Sequence, residues 1–402
     1  MPKNVAGHVV RGEDFWGRRG DVAALWARLE GDDVLLPGPR RLGKSSLMAA
    51  LLDEPRPGWT VVYMDVYPID KPEEFLIELT AALVAADPIR RVMGQIRDAP
   101  GRFAGWIRGV IDEVGLGLPD VGEVKLKLRD RLPTAGTWDE LAADLLTSLR
   151  RVEGKVLLIV DEFPSMVATM LAADRDGALR MLRWLRTRRG PAGTPNVRFL
   201  LGGSVNLQPL LEEIGQEKHI NDLDRFELRP FCSEAACEFV AAVLQAEGVE
   251  QPQEPAQRIV EIAATGVPFF LQVFIRECLE EARHRRTTVH RLDLRAVFRD
   301  RVMGPAGRAR FSHYLSRLRE AYGAQELAAR TLLWEVATRE RASLDHLREA
   351  LDRGGHSSAN LRPLLVRLQS DHYLVVDGPI VTFTSGFLRE WWLRNAVPGA
   401  SR

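Results

Sequence analysis

An α/β core, with a parallel sheet and flanking helices, followed by a helical lid and a C-terminal winged-helix domain, is the fold class this sequence predicts. Three observations carry the expectation. Short apolar runs alternate with helical periodicity up to about residue 231, the pattern of strands buried on both faces. One such run, Asp33–Leu36, feeds Gly38-Pro39-Arg40-Arg41-Leu42-Gly43-Lys44-Ser45, which matches the phosphate-binding loop pattern G-x-x-x-x-G-K-[ST]. Beyond residue 231 the pattern turns helical and closes on two short strands joined at Asp377-Gly378.

The elements follow in order. Val22, Leu25, Trp26 and Leu29 recur at helical spacing after Phe15–Arg19. The strand at Asp33–Leu36 leads through the loop into a helix marked by Leu47, Leu51 and Leu52, the strand–loop–helix context the motif requires. Trp59–Val66 reads as a second strand, and Pro72 opens a helix through Phe75, Leu79 and Leu83. Residues 88–135 break the alternation and read as an insertion. Within it Arg102–Val114 is helical, while Val124, Leu126 and Leu128 against Lys125, Lys127 and Arg129 predict an exposed strand or hairpin over Val121–Leu128. Thr137 with Glu140 three residues on predicts a capping box. Lys155–Val160 is an apolar strand tipped by Asp161 and Glu162. Leu179–Leu185 forms a basic helix, Val197–Leu201 a buried strand, and Phe226–Leu228 the last core strand. Helices follow through Phe239–Glu247, Gln257–Thr265, Phe269–His284 and Leu292–Phe298, then Arg310–Arg319, Ala328–Thr338, Leu344–Leu351 and Leu361–Gln369. Strands Tyr373–Val376 and Ile380–Phe383 make the hairpin, so the division reads as core 1–231, lid 232–309 and winged helix 310–402.

Composition narrows the functional classes. The 402 residues, 46% of them apolar, suffice for two or three domains. The 55 basic residues balance the 55 acidic ones, so no global field favours nucleic acid or an acidic membrane. Only seven of the basic residues are lysines, and Lys44 is one of them. Three cysteines, Cys232, Cys237 and Cys278, form no C-x-x-C, two of them reading as buried free thiols; with no apolar leader and no membrane-length stretch, a cytoplasmic protein without membrane contact is expected.

The chemistry lies in the loop and the acidic strand. Gly38 and Gly43 let the backbone curl so that N–H groups point at phosphate oxygens, and the next helix adds its N-terminal dipole. Lys44 is expected to reach the β and γ phosphates, Ser45 to offer its hydroxyl to magnesium, with Ser46 behind it; Pro39, Arg40, Arg41 and Leu42 are the spacers. Asp161 is the expected magnesium carboxylate and Glu162 the group that polarises the attacking water. Ser204 and Asn206, past the next strand, are candidate sensors of the γ phosphate. Arg225 is a candidate arginine finger from a neighbouring subunit or, equally, a surface ion pair. Gly266-Val267-Pro268 is a turn between helices or a nucleotide-sensing contact from the lid. ATP or ADP with Mg2+ are the cofactors this set implies.

The order of motifs resembles the archaeal-type ATPase family, in the STAND branch of AAA+-like P-loop ATPases. Phe15-Trp16-Gly17-Arg18-Arg19-Gly20-Asp21 is similar to that family's N-terminal element, and GPRRLGKSSL and LLIVDEFP to its phosphate loop and acidic strand. Gly203-Ser204 resembles its sensor region, Leu228-Arg229-Pro230-Phe231 its leucine-x-proline segment, and GVPFFLQ an element whose proline, here Pro268, lies near the nucleotide in relatives. Phe387-Leu388-Arg389-Glu390-Trp391-Trp392 is similar to its C-terminal run, with Glu390 as a departure. The resemblance spans about residues 10–395 and implies a switch whose ATP and ADP states hold core, lid and winged helix differently, acting on a partner or as an oligomer. Some relatives carry a nuclease-like domain after this point; none is expected here, where the sequence stops at Arg402.

Three functions remain open from sequence. The first is a magnesium-dependent ATPase switch acting on double-stranded DNA through the winged helix, with Asn360, Arg362 and Arg367 on the recognition segment. Residues 280–310, with nine arginines, and Arg180–Arg189 are the basic zones that suit a phosphate backbone, or a solvated face. The second is a nucleotide-controlled scaffold for protein assembly with little turnover. The third, a nucleotide kinase, is disfavoured by the long helical tail and the Asp-Glu pair.

Overall fold

The computed structural model describes residues 2–402 except 97–100, 115–120, 130–135, 191–192, 205–206, 306, 308–310, 312 and 397–402. It divides into two compact units, one formed by Arg18–Gly38 and Lys44–Leu228, the other by Met1–Gly17, Pro39–Gly43 and Arg229–Arg402.

The first unit is built on five parallel strands in the order β2-β3-β4-β1-β5: β1 (Val34–Leu36), β2 (Trp59–Asp65), β3 (Lys155–Asp161), β4 (Val197–Gly202) and β5 (Asp224–Arg225). The central strands β4 and β1 are buried along their whole length, which is why, apart from Arg198, their sequences are apolar runs rather than alternating ones. Helices α1 (Arg19–Leu29), α2 (Lys44–Asp53), α3 (Pro72–Ala85), α4 (Asp87–Ile96), α5 (Arg102–Val114), α6 (Val121–Arg129), α7 (Trp138–Ser148), α8 (Phe163–Ala173), α9 (Arg175–Arg188) and α10 (Leu207–Glu213) complete it. One core joins Phe75, Trp138, Phe163 and Phe199.

The structure corrects three sequence expectations in this unit. Val121–Arg129 is helical, not a strand: Val124 and Leu128, four apart, are buried against Ile77 and Ala81, whereas Leu126 between them is 68% exposed. Both periods fit three alternate apolar residues, and the packing chose 3.6. The last core strand lies at Asp224–Arg225 rather than Phe226–Leu228, although Phe226 N–H still reaches Leu35 O at 2.9 Å. The capping box at α7 is not formed: Thr137 makes no side-chain cap bond, and the Glu140 N–H bonds Asp139 Oδ1 at 3.0 Å.

In the second unit α11 (Ser233–Ala246), α12 (Gln253–Ala263) and α13 (Pro268–His284) precede helices at Glu326–Arg339, Leu344–Arg353, Leu361–Ser370 and Gly386–Asn395. Strands β6 (Ala342–Ser343), β7 (Leu374–Asp377) and β8 (Ile380–Phe383) form an antiparallel sheet in the order β6-β8-β7, with Gly378 at φ +57° in the hairpin turn. These helices and the sheet make the winged-helix arrangement, and Phe270 stacks on Phe387 at 4.4 Å to tie it to α13 within one core. Gly266 is fixed by close approach: a Cβ there would lie 1.9 Å from Phe231 O, and the Phe231 N–H bonds Gly266 O at 2.9 Å. Of the three cysteines, all free, only Cys278 is buried; Cys237 is half-buried and Cys232 exposed, one buried thiol rather than the two expected. Among the described residues no helix is long and apolar enough to cross a membrane.

Candidate functional site

Between β1 and α2 the chain makes a sharp reversal whose dihedrals explain its glycines. Gly38 sits at φ +142°, Arg41 at +76° and Gly43 at +101°. A Cβ on Gly43 would meet nothing within 4 Å, so the left-handed φ, not space, demands glycine there. Lys44, buried at the first turn of α2, donates from Nζ to Gly38 O at 2.6 Å, so its ammonium spans the loop it follows. Ser46 is buried beneath it, and Leu42 is buried while Arg40 is exposed. The Arg41 guanidinium stacks over Phe269, 4.3 Å from its ring centroid.

The acidic strand meets α2 where the sequence order demands. Parallel pairing brings the C-terminal end of β3 level with that of β2, Asp65 beside Asp161. Ser45 Oγ donates to Asp161 Oδ2 at 3.0 Å, Tyr63 O–H to the same oxygen at 3.2 Å, and the Glu162 N–H to Asp161 Oδ1 at 2.9 Å. Glu162 caps α8 from the left-handed region, φ +58°, which costs a residue with a side chain about 1 kcal/mol or more. Its Oε2 accepts hydrogen bonds from Ser165 Oγ at 2.6 Å and Ser204 Oγ at 3.3 Å. The end of β4 closes in through Gly202 and Gly203: a Cβ on Gly203 would lie 2.5 Å from Pro164 Cδ and one on Gly202 1.8 Å from Met48 Cε.

Electrostatics at the strand ends is acidic. The Asp65 carboxyl is raised, first by burial among the strand ends and then by the charges of Asp161 and Glu162, against a lowering bond from the Tyr67 N–H. The Tyr63 phenol is raised for the same reasons, desolvation leading. Such a set of oxygen donors suits a hard divalent cation. Among the described residues no group of three or more His, Cys, Asp or Glu is arranged to hold a metal by itself.

Lys44, Ser45, Asp161, Glu162 and Ser204 thus lie in or beside one corner of the first unit. Asn206 falls outside the described residues. Arg225 is exposed in β5, with its guanidinium on Gln208 Oε1 and its carbonyl accepting from Arg28 at 2.7 Å. Pro268 belongs to the other unit, where it is the first residue of α13, a position suited to proline. Sequence reasoning missed Asp65, Tyr63 and Ser165. The polar end of the Trp59–Val66 run was a signal for Asp65, but strand register is needed to set it beside Asp161.

No family model and no curated protein matches the chain. Solved structures do. The chain is similar to the Walker-type ATPase of Pyrococcus abyssi at 19% identity and TM-score 0.62, covering 97% of this chain and 98% of that one. It is similar to the Aeropyrum pernix ORC2 protein, solved as ADPNP–ADP complexes, at 15% identity and TM-score 0.55, covering 95% of this chain and 92% of that one. At these identities the likeness is one of fold: both structures share, along nearly the whole chain, the mainly parallel core followed by a helical lid and a winged helix that the sequence led one to expect.

Proposed function

We propose that the protein is a magnesium-dependent, ATP-binding and ATP-hydrolysing switch that acts on double-stranded DNA through its winged helix. The observation that carries the reading is the Ser45–Asp161 hydrogen bond at 3.0 Å beside Glu162 with its carboxylate held by two serines. In this reading the loop N–H groups and Lys44 bind the β and γ phosphates, and Ser204 orients the γ phosphate or the water, with Asn206 as the second candidate for that task. Glu162 accepts a proton from water as that oxygen forms its bond to the γ phosphorus and the bond to the ADP oxygen breaks, leaving ADP and phosphate. Ser45 and Asp161 are the residues that would hold magnesium, whose charge would neutralise the phosphate oxygens. Arg225, exposed and bonded to Gln208, would act as a finger in trans, which requires an oligomer and release of that bond; Pro268 is the proposed lid contact with nucleotide.

The DNA part of the proposal rests on Arg362, Val366 and Gln369, exposed at i, i+4 and i+7 on the helix that precedes the β7–β8 wing. Arg367, also named from sequence, lies instead over the Tyr322 ring at 4.5 Å. We take 1–231, 232–309 and 310–402 as core, lid and winged helix, and the cytoplasm as the place of action.

The test is ATP turnover by the purified chain with and without double-stranded DNA, beside Glu162→Gln, with mass in solution recorded. Turnover stimulated by DNA and reduced at least about 100-fold in Glu162→Gln, with nucleotide still bound, is the expected result. Negligible turnover with tight nucleotide retention and a changed assembly state would replace it with the scaffold reading.

A further inference from the structure

The antiparallel pair α11 and α12 carries an open groove of about 1000 Å3 that the nucleotide chemistry does not use. Glu234, Glu238, Ala241 and Gln245 line it along α11, facing α12 from Gln253 to Ala264. Their spacing, i, i+4, i+7 and i+11, places them on one helix face over three turns, about 16 Å. The groove's less exposed lining is apolar, with small side chains at Cys237, Ala241, Ala242 and Val260, so another backbone can approach closely. The rim is acidic: Glu234, Glu238 and Glu261 all line the groove, and among the described residues no lysine, arginine or histidine does, in a chain with 55 basic residues.

We propose that this groove docks a cationic amphipathic helix of a second protein, three turns long, with small apolar residues on one face and Lys or Arg flanking them. Length and apolar floor match the helix-in-groove mode, and the three glutamates, with neutral glutamines at the other end, select the sign of the partner. The chain's own basic amphipathic helix, α9, is not the occupant in another copy, because its apolar face, Met181, Leu182 and Leu185, is buried in its own core. The inference is independent of the nucleotide reading, since none of these residues belongs to that site.

The probe is a labelled sixteen-residue helical peptide with leucine or alanine at i, i+4, i+7 and i+11 and lysine elsewhere, titrated by fluorescence anisotropy against the full chain. The same peptide with glutamate for lysine is the control. The lysine peptide is expected to bind at about micromolar concentration, about tenfold or more weaker to Glu238→Lys, and undetectably to Ala242→Trp, which fills the groove. Circular dichroism and ATP turnover of both variants should match the parent. Equal binding of the two peptides, no binding of the lysine peptide at about 1 mM, or unchanged binding to both variants overturns the proposal. So does a dimer lost in Ala242→Trp, which would assign the groove to a second copy, or displacement of the peptide by spermidine at equal affinity, which would assign it to a small cation.

Discussion

Glu162 depends on its neighbours for aim. Ser165, 8% exposed, holds the carboxylate at 2.6 Å, so Ser165→Ala should lower kcat about tenfold while leaving KM for ATP nearly unchanged, as a positioning role requires. A parallel fall in kcat and rise in KM with lost thermal stability would make the serine merely structural. Asp65 gives the pH-dependent counterpart. Its carboxyl is raised in the fold by burial and by Asp161 and Glu162, so the folded state holds its proton to a higher pH than the unfolded chain does. The stabilisation is present below the usual carboxylate range and lost as pH rises through the folded value. Asp65→Asn should therefore melt above the parent at neutral pH, with the gap closing below about pH 4, while magnesium-dependent nucleotide binding weakens. Melting curves across pH decide it; a gap that widens in acid would refute the assignment.

At the scale of elements, glycine placement and helix registry explain what could be read in advance. Gly266→Ala would drive a Cβ to 1.9 Å from the backbone oxygen Phe231 O, which cannot swing aside as a side chain could, so a loss of about 2–3 kcal/mol is expected in chemical denaturation. An unchanged midpoint would mean the turn relaxes freely. The sequence made the parallel core legible because β1, β3 and β4 are buried on both faces and their apolar runs have no competing interpretation. That the Gly38–Ser45 loop would end beside Asp161 and Glu162 was legible through motif and strand order. Val121–Arg129 was not, since Val124, Leu126 and Leu128 satisfy either period until Ile77 and Ala81 supply a surface for two of them. Asp65 and Ser165 escaped for another reason: each acquires its place through register or a turn at Glu162, and no local pattern encodes that.

Across the whole molecule the arginine count misleads more than it informs. Of the zone 280–310, Arg301 bonds Glu277, Glu280 and Glu281, Arg299 pairs with Asp300, Arg283 with Glu247, and Arg285 with Glu281, while Arg308 and Arg310 lie outside the described residues. Glu277 and Glu281 are buried, so Arg301 is a structural cation. Arg301→Ala should lower Tm by roughly 5 °C or more and leave the salt slope of DNA affinity unchanged. On α9, Arg183 is exposed and turns its Nε to Leu179 O at 3.3 Å. Arg183→Glu with Arg186→Glu should weaken DNA binding and flatten that slope by about two phosphates. Binding titrations at several salt concentrations separate the two; an effect confined to Arg301→Ala would restore the 280–310 zone as the phosphate surface.

The left-handed backbone at Glu162 bears on how this protein can be altered. Selection for heat resistance alone rewards any exchange that relaxes a strained position, and glycine is the residue most at ease there. The first mutation such a screen collects at this turn would be the one that removes the carboxylate. With Glu162 as the base we propose, thermostability engineering of this chain must score turnover alongside survival, or it will enrich hardy proteins that no longer hydrolyse ATP.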